Sequence, residues 1–500
     1  MRNFRLLLVH ELQSQMKSFT FAVMIPVAFI VSLFVTNMQL TSYKDRKQVY
    51  VEQQKQSNER LEKIYVYSQF AVDVYMPPPA LSVFAMGLDE NIGNKITVSV
   101  FDAPEISVTS QRSNAFIRIF NNIDISGVVK ILSIFMILMA ACPIAIERER
   151  QTGKLTFANS VTRLEYFLSK YAALMVVACI MITVIFIIPV IWMTFDPQID
   201  LSLSAIGSIL LMVVFSILYL SVFVLISLSV SVISSKVSMA TVTGLMIWAM
   251  MVYVYPFTVN SIVDRLVKIP SNISIHEQIT QIENDMLTEL DEYMEEKPLP
   301  RCGSICGMSS AFWITTNLDF STKECYEAYQ SLNDYLLPKR QLVIDRIYAI
   351  KDDQKKQQLY KRKLYGQLAF FIPDNIYQNI CEQIAGTDYD FREYQFMNAA
   401  RNYRNVLMEY IRSKNGFGYA FFTQLPESEM RDSNNDYSQS IIEKYCEEEN
   451  LDKIFTAEVP RFTFFRQSRS SATWMVLLTL LNVVFCGLSI PICNKYLSFK

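Results

Sequence analysis

The sequence predicts an all-α polytopic membrane protein with six transmembrane helices. Of its 500 residues, 51% are apolar and only 19% are charged, whereas an average soluble chain carries ~25% charged residues. Charged residues are absent from long stretches such as 131–146, 171–195, 201–235, 237–263 and 470–494. Residues 264–469, by contrast, are rich in charge. This distribution excludes a plain soluble enzyme, a disordered chain and a collagen-like chain.

Six segments are predicted to span the membrane. A membrane helix needs ~20 mainly apolar residues, because its backbone polar groups must be paired inside the lipid. The segments that satisfy this are 19–38, 127–147, 169–195, 203–231, 237–257 and 472–494. Lys130 lies near the start of the second, where a lysine head group can reach the interface. No other charged residue falls in the interior of a predicted span, which disfavours a proton-driven secondary transporter.

The basic residues of the short loops predict the orientation of the chain. With the N-terminus in the cytoplasm, the cytoplasmic pieces carry eleven Lys or Arg residues against four acids. The short loop 196–204 on the other side has Asp196 and Asp200 and no basic residue. Positively charged short loops stay in the cytoplasm. Both termini are therefore predicted to be cytoplasmic, and the cytoplasmic pieces are 1–18, 147–170, 232–238 and 494–500.

The N-terminal segment 1–18 is predicted to be a cytoplasmic amphipathic helix. Its apolar residues recur at helical spacing and are Phe4, Leu7, Leu8, Leu12 and Met16. A charged lead this long, with no small-x-small site soon after the apolar run, is not typical of a cleavable signal peptide. The helix is therefore expected to lie in the membrane interface. The alternative is that it only flanks a signal anchor.

The first long loop, 39–126, is predicted to be a small α+β extracytoplasmic unit. It begins as a charged continuation of the first helix, to about Lys63. Residues 96–101 and 106–109 then alternate between apolar and polar as half-buried strands do. The three prolines at 77–79 predict an extended segment before them.

The second long loop, 258–471, is predicted to be a large and mainly helical extracytoplasmic domain. Its 214 residues are enough for a core of its own. Apolar residues recur with the helical period in stretches 274–296, 321–336, 338–369, 374–385, 389–414 and 438–450. The chain then crosses the membrane at 472–494 and ends in a cytoplasmic tail, 495–500.

The fourth predicted span is rich in serine. With its edges it carries Ser202, Ser204, Ser208, Ser216, Ser221, Ser227, Ser229 and Ser231. Small and hydroxyl side chains allow helices to pack closely in lipid. Packing within one subunit is the plainer explanation, and a dimer seam or a substrate-facing wall is the alternative.

The loop after the second span carries the candidate functional residues. Four alternating charges leave the membrane, and a glycine that permits a sharp turn follows them. The candidate residues of this loop, 147–168 in its narrower bounds, are Glu147, Arg148, Glu149, Arg150, Gly153, Lys154 and Leu155. The alternative is a solvated loop that only follows the positive-inside bias.

The sequence offers little for catalysis or metal binding. The two histidines, His10 and His276, fall on opposite predicted sides of the membrane, so no Ser-His-acid triad is expected. A phosphate loop would need Gly-x-x-x-x-Gly-Lys-Ser/Thr, and around Gly153 that pattern fails at both ends. A disulfide among Cys302, Cys306 and Cys325 is the leading expectation in an oxidising compartment. A copper or zinc site there is the minor alternative, because no histidine lies near.

The chain resembles the type-2 ABC-transporter permeases. The run 146–155, followed about fifteen residues later by the third span, is similar to the family's Glu-rich coupling segment, with Gly-Lys-Leu where Gly-Thr-Leu is expected. A branch with a large extracytoplasmic domain, similar to the permease component of multicopper-enzyme maturation systems (nitrous-oxide-reductase maturation-like), matches more narrowly. Two of the motifs that carry this narrower resemblance lie in the first long loop, at 76–84 and 87–89. The others lie in the second long loop, at 377–379, 385–388, 400–404 and 460–462.

This resemblance implies the membrane-spanning subunit of an ATP-driven exporter in a bacterial cytoplasmic membrane. ATP and Mg²⁺ would bind a separate ABC ATPase, so no cofactor is expected in this chain. The remaining expected partners are a second permease copy or a sister permease, and the lipid bilayer. With a net charge of −2, nucleic acid is not expected. The alternatives are a subunit that transmits force to an envelope partner without transport and, less favoured, a membrane receptor with an extracytoplasmic sensing domain.

The topology gives a testable prediction. In a background in which serine replaces the nine native cysteines, Gln151→Cys and Asn434→Cys should react with a membrane-impermeant thiol reagent from opposite sides. In intact cells only position 434 should react, because the basic bias places position 151 in the cytoplasm. Labelling of both positions from outside intact cells would overturn this topology.

Overall fold

The computed structural model describes residues 2–61, 70–87, 94–100, 102–107, 123–157, 161–199, 201–298, 305–308, 311–314, 323–388, 396–413 and 464–497. In chain order, its helices are α1 (Arg2–Met16), α2 (Phe19–Leu61), α3 (Ile125–Glu149), α4 (Gly153–Phe157), α5 (Arg163–Phe195), α6 (Leu203–Ile233), α7 (Val237–Leu266), α8 (Asn272–Glu296), α9 (Lys323–Leu368), α10 (Pro373–Ala385), α11 (Phe396–Ser413) and α12 (Phe464–Tyr496). The strands are β1 (Ala71–Tyr75), β2 (Lys95–Ser99), β3 (Glu105–Ser107), β4 (Ile305–Met308) and β5 (Ala311–Ile314).

Six helices of this set are long and apolar enough to cross a membrane, as the sequence predicted. They are α2, α3, α5, α6, α7 and α12. Helix α1, the turn at 150–152 and the last residues of α6 and α12 lie at one end of the bundle, here called the terminal side. The opposite end, from which the two long loops leave, is called the loop side.

Helix α6 lies at the centre of the bundle, packed against α3, α5 and α12. In its most apolar window, 67% of the residues are buried, against 11% for α7. The serines of α6 from Ser208 onward are all buried. Ser227 donates to the carbonyl oxygen of Ile137, and Ser231 donates to that of Ala141. These contacts agree with packing inside one subunit.

Helix α5 begins earlier than the sequence analysis predicted. The Thr162 hydroxyl accepts a hydrogen bond from the backbone N–H of Glu165, and the Glu165 carboxylate accepts one from the backbone N–H of Thr162, which forms a capping box. The helix therefore includes residues that were assigned to the cytoplasmic loop. Lys170 lies inside this helix and is buried, whereas the sequence analysis named Lys130 alone as a charged residue within a span.

A three-stranded antiparallel sheet follows the end of α2. Strand β2 is central, with Val98 opposite Val72 of β1 and Ile96 opposite Ile106 of β3. Strands β2 and β3 match the two segments predicted from alternation, whereas β1 was not predicted. A separate pair, β4 and β5, occurs in the second loop.

The second loop is mainly helical where the structure describes it. Helix α9 runs without a break through Pro338, although two separate stretches were predicted on either side of this proline. Leu332, Leu336, Ile344 and Ile347 continue one buried face across it. Burial of this continuous face outweighs the one backbone hydrogen bond that a proline removes. The predicted stretch 438–450 lies outside the described residues, as do residues 389–395 of the stretch 389–414.

Helix α10 of the second loop packs inside the spanning bundle, against α3, α6 and α12. Its Tyr377 is fully buried, stacks on Tyr219 with ring centroids 4.6 Å apart, and lies 2.8 Å from the Ser216 hydroxyl. At its first turn, Asp374 accepts a hydrogen bond from Tyr219 and pairs with Lys130 at 3.2 Å. Ser216 and Tyr219 lie near the middle of α6, so α10 forms a wedge that enters from the loop side.

Two of the motifs that carry the narrower resemblance, 385–388 and 400–404, contact the first long loop. Thr387, just after α10, donates to the carbonyl oxygen of Ala85 at 2.9 Å. Arg404 of α11 is buried and donates to the backbone of Ser99 and Val100. These contacts join the first long loop to the second.

A substitution at Gly87 would test this contact between the two long loops. Its φ is +52°, and a Cβ atom there would lie 2.8 Å from the carbonyl oxygen of Thr387. Gly87→Ala should therefore destabilise the protein by about 1–3 kcal/mol, through backbone strain and overlap. The measurement is the unfolding temperature of the detergent-solubilised protein. Gly487→Ala is the matched control, because nothing lies within 4 Å of the added methyl group. Equal unfolding temperatures for the two variants would contradict the prediction.

Candidate coupling site

A buried lysine joins three helices at the terminal side. The Lys170 ammonium of α5 lies 2.5 Å from a carboxylate oxygen of Glu11 in α1 and 2.6 Å from one of Glu147 in α3. Its side chain is 1% exposed, that of Glu11 9% and that of Glu147 22%. These three residues are called the Lys170 triad below.

Tyr166 completes the surroundings of the triad. Its hydroxyl donates to the second oxygen of Glu147 at 2.6 Å, and its ring lies 4.8 Å from the Lys170 ammonium. The two carboxylates therefore share one ammonium, and Glu147 also accepts a hydrogen bond from the Tyr166 phenol. Because removing a buried charge from water is costly unless it is paired, each member of the triad depends on the others.

Arg148, next to Glu147, binds the ends of two other spans. It donates to the carbonyl oxygens of Val232 at 2.6 Å, Ser234 at 3.0 Å and Tyr496 at 2.8 Å. These carbonyls belong to the C-terminal ends of α6 and α12, where the backbone oxygens have no partner within the helix. A guanidinium there also interacts favourably with the negative end of the helix dipole.

Glu149 binds the beginning of the fifth span. Val237 is the first residue of α7, and Glu149 accepts a hydrogen bond from its backbone N–H at 3.1 Å. A carboxylate at a helix N-terminus is favourable for the same electrostatic reason. Three of the four alternating charges thus bind parts of this chain, and both Glu149 and Arg150 are exposed next to the turn.

The turn itself is formed differently from the prediction. Gln151 adopts a left-handed conformation with φ of 58°, whereas Gly153 is buried and begins the short helix α4. The expectation that Gly153 makes the sharp turn was therefore wrong. The side chains of Lys154 and Leu155 lie outside the described residues. Arg150, Gln151 and Thr152 are exposed and form the tip of this segment.

Two members of the Lys170 triad were missed by the sequence analysis. Glu11 was given no role within the predicted interfacial helix, although it lies three or four residues after Leu8 and Leu7 and so falls on the apolar stripe. Lys170 was assigned to the loop because the apolar run begins after it. A charge on an apolar stripe is a signal that could have identified Glu11, but its partner is 159 residues away.

The structure adds little about the predicted histidine and cysteine sites. His276 is exposed on α8, as expected of a surface helix residue. Cys302 and the side chains of Cys306 and Cys325 lie outside the described residues, so the disulfide stays a prediction.

A family model described as ABC-2 family transporter protein matches residues 7–499. The chain belongs to this family. No curated protein and no solved structure matches it. The chain is therefore a multi-pass membrane permease, the membrane subunit of an ABC transporter, and its family implies partnership with an ABC ATPase. The proteins of this family are transport components that are generally not themselves catalytic.

Lys170 gives a prediction about the permease. Lys170→Met should leave the buried Glu11 and the partly buried Glu147 without their cation, which costs about 3–5 kcal/mol. The unfolding temperature of the solubilised permease should therefore fall. Adding Glu11→Gln and Glu147→Gln to Lys170→Met should recover most of the loss, because no unpaired charge then remains.

Lys236→Met is the matched control for this prediction. Lys236 is an exposed lysine on the same side, at the N-cap of α7. If Lys170→Met were no less stable than Lys236→Met, the triad would not hold the helices together.

Proposed function

We propose that this permease couples ATP hydrolysis by a separate ABC ATPase to the export of a substrate across a bacterial cytoplasmic membrane. The observation that carries the proposal is the position of the exposed tip 150–152. The tip continues directly from the end of α3, whose last residues bind α1, α5, α6, α7 and α12. On this proposal the terminal side is cytoplasmic, and ATP and Mg²⁺ bind the partner.

The contacts around the tip support a mechanical role. A displacement of α3 relative to its neighbours must break or carry along the Lys170 triad and the Arg148 hydrogen bonds. Charge-assisted hydrogen bonds of this kind are stronger than neutral ones. The helices at the terminal side are therefore expected to move together when the ATPase moves the tip. In this proposal Glu147, Arg148, Glu149 and Gly153 position the coupling segment, and Arg150 offers a charge to the ATPase.

The wedge α10 supports a second candidate function, force transmission without transport. It lies between α3, α6 and α12, and α9 connects it to the rest of the second loop. A tilt of these spans would move α10 and with it the domain outside. The junctions at Thr387 and Arg404 would carry the motion on to the first loop. We assign the chain to the branch with a large extracytoplasmic domain, because the motifs shared with that branch make these junctions.

A second permease subunit would complete the transporter. The most exposed spanning helix is α7, and its exposed apolar side chains are Met239, Val242, Met246, Met250 and Tyr253. A spanning helix with so little burial in its own subunit faces either lipid or another protein. We propose that a second copy, or a sister permease, packs against this bundle to form the functional dimer.

The exposed tip provides the test of the coupling proposal. Arg150→Glu should weaken binding of the ABC ATPase that co-purifies with the native permease by about 30-fold, which corresponds to about 2 kcal/mol. Stability of the spans should not change, because the Arg150 side chain is exposed. Co-purification and ATPase activity in nanodiscs measure the binding, and the unfolding temperature measures stability.

Lys236→Glu is the control, as a charge reversal at another exposed position on the same side. Normal ATPase binding by the Arg150→Glu variant would contradict the proposed docking surface. Transport and force transmission separate in a second measurement. If the native complex hydrolyses ATP and supports growth of its cell but moves no solute into inverted vesicles, force transmission replaces export.

A further inference from the structure

Helix α1 has a second apolar face, which points away from the bundle. Leu6, Val9 and Met16 lie on this face and are 63%, 47% and 47% exposed. Their spacings of three and seven residues place them on one side of a helix. Glu11, which pairs with Lys170, lies on the opposite side and is buried. The side that carries Leu6, Val9 and Met16 is called the outer face of α1 below.

This arrangement differs from the predicted one. The sequence analysis placed Met16 on one stripe with Phe4, Leu7, Leu8 and Leu12 and turned that stripe toward the membrane interface. In the structure the other four residues are half-buried and α1 packs against α5, whereas Met16 is exposed. The stripe recognised in the sequence therefore faces protein, and the outer face is the surface left to the surroundings of the bundle.

The outer face of α1 is followed at once by the exposed surface of the first span. Only residues 17 and 18 separate α1 from α2. Phe19, the first residue of α2, is 84% exposed, and Val23, Val27 and Ile30 continue an exposed apolar surface along the span. Because the chain enters the bilayer within two residues of α1, α1 lies at the level of the lipid head groups. Lipid is therefore the surrounding that the outer face meets.

Two cations lie near the two ends of the outer face. Arg5 and Lys17 are exposed, and within the part of the chain that the structure describes neither has an ion-pair partner. Glu11 is the one acid in the sequence of α1, and it is turned inward onto Lys170. The outer face therefore presents positive charge and apolar side chains together, without a carboxylate from its own helix.

The separation of the two cations favours a lipid surface over a small anion. Arg5 and Lys17 are twelve residues apart, which corresponds to about 18 Å along a helix. One small anion cannot contact both, whereas neighbouring head groups of a bilayer can. Apolar residues flanked by cations are typical of helices that bind anionic bilayers, and each cation near such a surface strengthens binding about fivefold.

We propose that the outer face of α1 binds the head groups of anionic phospholipids in the leaflet at the terminal side. Arg5 and Lys17 pair with the phosphates, and the three apolar side chains enter the boundary between head groups and acyl chains. Since Glu11 leaves the same helix toward Lys170, lipids that hold α1 in place also favour the Lys170 triad. Anionic lipid thereby raises the ATPase activity of the complex, an effect that rests on the proposed function, whereas the lipid binding does not.

The test uses the full-length permease in nanodiscs, with a reporter on the outer face. In the cysteine-free background, Val9→Cys carries a bimane fluorophore, and the discs mix phosphatidylcholine with phosphatidylglycerol. One set of discs contains phosphatidylglycerol brominated on its acyl chains, and the other contains an equal amount of brominated phosphatidylcholine. Bromine quenches the fluorophore on contact, so the ratio of the two quenching efficiencies measures how far phosphatidylglycerol is enriched at α1.

We expect phosphatidylglycerol to be enriched about fivefold or more at the reporter. Arg5→Gln together with Lys17→Gln should abolish the enrichment, because both charges are then absent. Lys236→Gln is the matched control, since it removes an exposed lysine of the terminal side that lies outside α1, and it should leave the enrichment unchanged. Equal quenching by the two lipids, or enrichment that survives the double substitution, would overturn the proposal.

Two further outcomes separate lipid from protein and binding from regulation. If neither brominated lipid quenches the reporter in the complex, protein such as the ABC ATPase covers the outer face, and the proposal is wrong. Phosphatidylglycerol should also raise the ATPase activity of the native complex, and it should not do so in the double variant. Enrichment without this rise would contradict the effect on the Lys170 triad. The quenching does not depend on ATP hydrolysis, so it reports lipid binding even if the coupling proposal fails.

Discussion

The buried ammonium of Lys170 is the constraint on which the terminal side of this permease depends. An ammonium without water is stable only when charged partners surround it, and its two carboxylates come from different helices. Helix α1 is therefore held against the bundle and does not simply lie in the membrane interface. The same ion pair holds the end of α3 against α5. The adjacent residues Arg148 and Glu149 then reach α6, α7 and α12 from that fixed position.

The two ends of the bundle are joined through α3, α6 and α12. At the terminal side, Arg148 of α3 binds the ends of α6 and α12, and on the loop side the same three helices enclose α10. Helix α10 is held by polar contacts in the middle of an apolar bundle, where Tyr377 meets Ser216 and Asp374 meets Lys130. Such contacts have few alternatives in lipid, because unpaired polar groups there are costly. Any motion of these spans is therefore linked by structure to motion of the second loop.

The candidate site was only partly predictable from the sequence. Alternation of charge identified Glu147, Arg148 and Glu149, but it suggested side chains that face a partner. The structure uses these three side chains inside the chain. The partners of Arg148 are 84, 86 and 348 residues away in sequence, and no local pattern contains that information. The turn was assigned to Gly153 because glycine tolerates a left-handed conformation, whereas the residue that adopts it is Gln151.

The sequence by itself determined the six spans, because the length of an apolar run is a local property and lipid requires a helix wherever such a run occurs. It also determined the family and strands β2 and β3, whose alternation is local as well. Only the tertiary structure decided that Lys170 lies inside a helix, that α9 continues through Pro338 and that α10 enters the bundle. It alone turned Glu11 toward Lys170, which leaves Leu6, Val9 and Met16 on the outer face of α1. In each case, the deciding free energy comes from contacts between residues far apart in sequence, which hydrophobic periodicity does not record.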